Sequence, residues 1–171
     1  MFITKQQVRH VLPVVPNPCA PHVGAQGLDS SVLVWHHQQP QPVCRFRNGF
    51  QTPISVVDWS YDGTVIVAGS MTGEVLAWRF ATREPLLANR YAHSYAPICG
   101  LSWSPGGYYL VAITMACTIQ IWQVATRECL LVLPCRGCTT TITWELDGSE
   151  FITDDGVVWN EPEQKGARSC Y

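Results

Sequence analysis

Charge is what this sequence has least of: Asp, Glu, Lys and Arg make up 14% of its 171 residues, against about 25% in ordinary soluble domains. Lysine is nearly missing, with Lys5 and Lys165 standing beside nine arginines, a bias that reads as base composition rather than function. The net charge of −2 supplies no field for a polyanion, which argues against nucleic acid and acidic membrane as electrostatically recruited partners. No run approaches the roughly 20 apolar residues a membrane helix needs. The N-terminal Val11-Leu12-Pro13-Val14-Val15 is too short and proline-broken for a secretory signal. Eight cysteines are then expected as free thiols in a reducing, cytoplasmic setting, with Cys44, Cys99, Cys117 and Cys129 buried in apolar strands as small hydrophobes. No helical apolar period, Gly-x-Ser-x-Gly or phosphate-cradling glycine loop occurs.

What the chain does have is a period. Trp35, Trp78, Trp122 and Trp159 are separated by 43, 44 and 37 residues, and Trp59, Trp103 and Trp144 by 44 and 41. Each of the second set precedes a turn: Tyr61-Asp62-Gly63, Pro105-Gly106-Gly107 or Leu146-Asp147-Gly148. Two aromatic markers and a turn repeating every 40–45 residues or so predict blades of four short antiparallel strands. The middle units carry all four, over 54–91 and 97–135, and share the connectors Ala81-Thr82-Arg83-Glu84 and Ala125-Thr126-Arg127-Glu128. The flanking units are worn. Residues 22–48 supply three strands and must draw a first from Val8 to Val15, a stretch rich in proline and a poor ladder partner. Residues 139–160 have 15 residues between their two Trp where the middle units have 19, and no fourth strand follows. A proline-containing segment with room for an outlying strand (1–21) and a polar tail (161–171) complete the layout.

Leu101-Ser102-Trp103-Ser104-Pro105-Gly106-Gly107 resembles the first strand of a WD40 repeat, Thr118-Ile119-Gln120-Ile121-Trp122 its third, and Ala92-His93-Ser94 the site of its Gly-His pair. Over roughly residues 8–160 the chain resembles the WD40-repeat β-propellers, bacterial arrays most of all. The resemblance implies an all-β fold with two complete blades flanked by two partial ones, in an open arc or a fragment of a larger ring. The dipeptide that names the family is absent, because His36, Arg79, Gln123 and Asn160 follow the third-strand Trp. The turn Asp that would pair the family's His is present as Asp29 but replaced by Thr72 and Ala116, which leaves His93 to find Thr114, water or no partner.

Candidate chemistry is sparse. Cys135-Arg136-Gly137-Cys138 lacks the second pair a structural zinc requires. His36-His37 comes just after a third strand; adjacent residues on a strand face opposite ways and could not easily share one metal, and a solvated loop is the expected reading. Asp154-Asp155-Gly156 reads as a hairpin turn. No metal, cofactor or catalytic residue is therefore expected. The family's partner-binding face, carried onto this sequence, places Phe50, Met71, Tyr95, Met115 and Arg136 in the exposed loops, residue types enriched at interface cores; the same side chains could instead pack between blades. Trp35, Trp59, Trp78, His93, Trp103, Trp122, Trp144 and Trp159 are expected to be structural. The function implied is a non-catalytic protein-interaction scaffold. One alternative is a truncated or split propeller completing a ring with itself or another chain. Another is an enzyme with a site at the propeller mouth, dependent on His93.

Overall fold

A computed structural model of the chain describes residues 14–26, 29–47, 52–89, 95–135, 139 and 141–160. Every regular element among them is a β-strand. The first sheet comprises β1 (Val14–Pro16), β2 (His22–Gln26), β3 (Val32–His36) and β4 (Pro42–Phe46). The second holds β5 (Ile54–Trp59), β6 (Val65–Ser70), β7 (Val75–Arg79) and β8 (Pro85–Asn89). The third holds β9 (Ile98–Trp103), β10 (Tyr109–Thr114), β11 (Thr118–Gln123) and β12 (Glu128–Pro134), and the last β13 (Ile142–Trp144), β14 (Glu150–Thr153) and β15 (Val158–Asn160). Each sheet is an antiparallel meander in chain order, and the four form an open arrangement. The first sheet thus obtains its inner strand from Val14–Pro16, while Val8 to Pro13, the rest of the expected stretch, lie outside the described residues. It is only three residues long and ends at Pro16, which has no N–H to donate.

Pairing makes the repeats superimposable. Trp35, Trp78, Trp122 and Trp159 lie opposite Val23, Ile66, Leu110 and Phe151. Those four lie in turn opposite Pro16, Trp59, Trp103 and Trp144 on the inner strands. The hairpins after β5, β9 and β13 close alike: the N–H of Gly63, Gly107 and Gly148 donates to the carbonyl of Ser60, Ser104 and Glu145 at 2.8, 2.8 and 2.9 Å. Each of these glycines has positive φ, at 67°, 71° and 75°, the backbone state glycine adopts without a Cβ penalty.

Because side chains alternate along a strand, the central strands of each sheet serve two interfaces at once. Ile66, Ala68, Leu76 and Trp78 pack toward the first sheet, against Val32, Val34, Cys44 and Phe46. Their neighbours Val65, Val67, Val75 and Ala77 pack toward the third, against Ile98, Trp103, Leu110, Ala112 and Trp122. Tyr109, Val111, Ile119 and Ile121 cover the third sheet's other face with Phe151 and Trp159. Complete burial of aliphatic side chains of this kind stabilises by roughly 1.5–3 kcal/mol each. The contact is close: a Cβ on Gly69 would stand 2.6 Å from Ile98 Cβ, so only glycine lets β6 approach β9 here. Gln120 breaks the pattern. It sits where Leu76 sits one sheet earlier, fully buried, with neither amide atom hydrogen-bonded, at a cost of about 1–3 kcal/mol.

The terminal sheets depart from the expected burial. Trp59, Trp78, Trp103, Trp122 and Trp159 are buried, whereas Trp35 and Trp144 are only half-buried. Trp35 occupies the position from which Trp78 packs onto the preceding sheet, and no described sheet precedes its own. Of the cysteines expected inside, Cys44 is buried, but Cys117 and Cys129 are half-buried and Cys99 is exposed. Cys99 and Cys129 lie on β9 and β12, the edge strands of their sheet, which are covered less than the central pair.

Candidate functional sites at the two ends of the sheets

The turns between second and third strands, with the segments leading into the first strands, gather at one end of the sheets. Backbone bonds tie them together: Met71 N–H donates to the Pro53 carbonyl at 2.9 Å and Met115 N–H to the Pro97 carbonyl at 2.8 Å. The hydroxyl at the end of the second strand braces each turn. Ser70 Oγ accepts from Glu74 N–H at 3.0 Å, Thr114 Oγ1 from Thr118 N–H at 3.3 Å, and Thr153 Oγ1 from Val157 N–H at 2.9 Å. Thr114 is thus engaged with Thr118, whose hydroxyl lies 2.6 Å away. The turn Asp recurs as Asp155, which accepts from Thr153 as Asp29 accepts from Ser31. Asp29 also meets Arg45 at 3.2 Å, and its carboxyl is held below the usual range, chiefly by Ser31.

On these braced turns Met71 is 47% exposed and Met115 67%, and Tyr95, ahead of β9, is 91% exposed, so none of them packs between sheets. Phe50 and Arg136, from the same expected face, lie outside the described residues, as do His93 and Cys138. Cys135 is described, and its thiol is pushed up, first of all by burial, the opposite of what a thiolate nucleophile or metal ligand requires. Among the described residues no group of three or more His, Cys, Asp or Glu is arranged to hold a metal ion. The two adjacent histidines do not diverge: the rings of His36 and His37 stack with centroids 4.8 Å apart. His37 lies past the end of β3, in the turn, where its N–H donates to the Pro21 carbonyl at 3.0 Å, so strand alternation no longer governs it.

The opposite end holds a feature that the sequence reading missed. A cavity of about 260 Å³ opens between the ends of β5 and β9, with Pro16, Asp58, Trp59, Tyr61, Ser102 and Trp103 among its walls. The inner-strand tryptophans around it follow a rule. Trp59 Nε1–H donates to the Val15 carbonyl at 3.1 Å, and Trp144 Nε1–H to Ser102 Oγ at 3.1 Å. In both cases the acceptor belongs to the residue just before the equivalent position one sheet earlier. The same geometry would send Trp103 to Asp58. Instead Asp58 Oδ1 accepts from the Trp59 backbone N–H at 2.8 Å, and Trp103 Nε1 is buried without a partner. Aligning the repeats on these tryptophans would have exposed the signal: Val15, Asp58, Ser102 and Thr143 share one position, and only Asp58 is charged. The arrangement can accept hydrogen bonds and neutralise a positive charge. Ser102 already receives Trp144, and among the described residues no histidine lines the cavity.

The family model described as WD domain, G-beta repeat, matches residues 41–79 and 85–123. Two stretches of this chain are therefore WD40 repeats. Each matched stretch starts at the outer strand of one sheet and ends on the third strand of the next, β4 to β7 and then β8 to β11. A WD40 repeat here is therefore offset by one strand from a blade, and every repeat straddles an inter-blade junction. Among solved structures, a chain in the crystal structure of mitotic checkpoint complex is 14% identical with a TM-score of 0.67, covering 82% of this chain and 44% of that one. At that identity the likeness concerns the fold, and this chain spans less than half the length of its counterpart. No curated protein is similar enough to count as a match.

Burial raises the Asp58 carboxyl to about 6, and the Trp59 N–H alone opposes the rise. A carboxyl pKa raised by folding means that the folded chain keeps a proton the unfolded chain releases. The stability tied to this group is thus fully present below about pH 4 and is lost as pH climbs through 6. The rise of roughly two pH units corresponds to at most about 3 kcal/mol at neutral pH. Asp58→Asn should therefore be more stable than the parent at pH 7.5, by about 1–3 kcal/mol in urea denaturation, and no more stable at pH 4. Equal stability of the two proteins at both pH values would contradict the assignment.

Proposed function

We propose that this chain is a non-catalytic protein-binding scaffold of the WD40 type, and that partners dock on the end that carries Met71, Tyr95 and Met115. The observation that carries the reading is the exposure of Met71 and Met115 on turns held fixed by backbone bonds and by the Ser70 and Thr114 hydroxyls, together with the exposure of Tyr95 ahead of β9. Methionine and tyrosine offer large contact surfaces with few polar groups to desolvate, and a braced turn lowers the entropy lost on docking. Phe50 and Arg136 extend the proposed surface. A variant combining Met71→Ala, Tyr95→Ala and Met115→Ala should keep its melting temperature within a few degrees and lose at least ten-fold in affinity for a partner captured by the parent chain. Undiminished affinity by titration calorimetry would count against this face.

A second reading, in which the arc is completed by further blades from another chain, a second copy or additional sequence, is favoured by one comparison. Val67 and Ala77, then Val111 and Ile121, are 0–1% exposed beneath the following sheet, while their equivalents Ile152 and Val158 are 47% and 48% exposed. At the other end Trp35 is half-buried for want of a preceding sheet. The two faces are the halves of one junction, so copies meeting head to tail would re-create it and close a ring. Light scattering should give a mass above that of one chain, reverting to a monomer in Ile152→Glu. A monomeric parent at tens of micromolar would rule out self-completion.

A further inference from the structure

The cavity between β5 and β9 holds two polar groups that should satisfy one another and do not. Trp103 is 3% exposed, yet its Nε1–H has no acceptor, although its counterparts on Trp59 and Trp144 each reach the sheet before. Asp58 lines the same cavity, and among the described residues its Oδ2 has no hydrogen-bond donor and no cation stands close enough to influence it. A half-buried carboxylate left without a counter-charge is an incomplete pair. The complement is a positive group.

Size and lining narrow the choice. About 260 Å³ is below the range of drug-sized pockets and suits one long side chain. The indoles of Trp59 and Trp103 and the phenol of Tyr61, which is 58% exposed at the surface, give the aromatic surroundings in which a cation gains from the ring quadrupoles. Pro16 adds a rigid apolar wall that a methylene stem can follow. A free metal ion would find one carboxylate and one hydroxyl already bonded to Trp144, too few ligands to hold it.

We propose that this cavity receives a cationic side chain, the guanidinium of an arginine or the ammonium of a lysine on an extended partner peptide. Asp58 is its counter-ion, and Trp103 is a lining indole that reports the occupation of the site. The site lies at the end of the sheets opposite Met71, Tyr95 and Met115, so the loss of one surface leaves the other testable.

The experiment uses the whole chain with ¹⁵N-labelled tryptophan and capped pentapeptides whose central residue is arginine, lysine or glutamine between glycines. The arginine or lysine peptide should move the Trp103 indole N–H resonance in a saturable way, assigned by its disappearance in Trp103→Phe, and the stronger of the two identifies the cation. The glutamine peptide should bind at least ten-fold more weakly, and Asp58→Asn, which keeps size and shape, should weaken the cationic peptides by ten-fold or more while all other indole resonances stay in place. If Trp103→Phe does not fold, the Asp58→Asn comparison and the peptide series decide alone. The proposal is overturned if no cationic peptide perturbs an indole resonance at millimolar concentration, if glutamine binds as well as arginine and lysine, or if Asp58→Asn binds as the parent does.

Discussion

The structure depends on one constraint: a β-sheet whose central strands carry apolar residues on both faces must be covered on both. β6 and β10 are buried along their whole lengths, with successive side chains delivered to opposite neighbours. Alone in water the second sheet would expose Ile66 and Val67 together, and the third Leu110 and Val111, and among the described residues no helix is available to cover them. Stacking sheet on sheet is the remaining solution, and the paired tryptophans of each repeat set the spacing. Stability is then the sum of nearest-neighbour junctions more than a property of any one blade.

That constraint explains why the pattern was so readable from sequence in the middle and faded outward. Trp78 and Trp122, the hairpin glycines Gly63 and Gly107 and the duplicated connectors lie in the two repeats that have neighbours on both sides, where every position is under the same packing demand. In the terminal sheets the demand is halved. Proline can end β1 at Pro16, Trp35 is half-buried, and among the described residues the last sheet has three strands. Burial of individual side chains was less legible. Strand alternation says which face a residue takes, but not whether that face is covered, which is why Cys99 and Cys129 were placed inside. His37 escaped the alternation rule because it lies one residue past the strand.

The candidate sites divide along similar lines. The exposed Met71, Tyr95 and Met115 follow from loop position alone and were accessible to sequence reasoning. The Asp58 cavity was not, because its significance is relational: Asp58 matters through a bond that two equivalent junctions make and this one lacks. Its charge stands where the other repeats carry Val15, Ser102 and Thr143. An architecture that repeats a structural bond makes its one omission informative, in a way that a unique fold would not.

Native-state hydrogen exchange on the full chain tests most directly the claim that each sheet is held by its neighbours. The account predicts a gradient: amides of β6, β7, β10 and β11 exchange slowest, with β14 and β15 opening at markedly lower free energy because one of their faces is uncovered. Uniform protection across all four sheets, or slowest exchange in the last one, would contradict it.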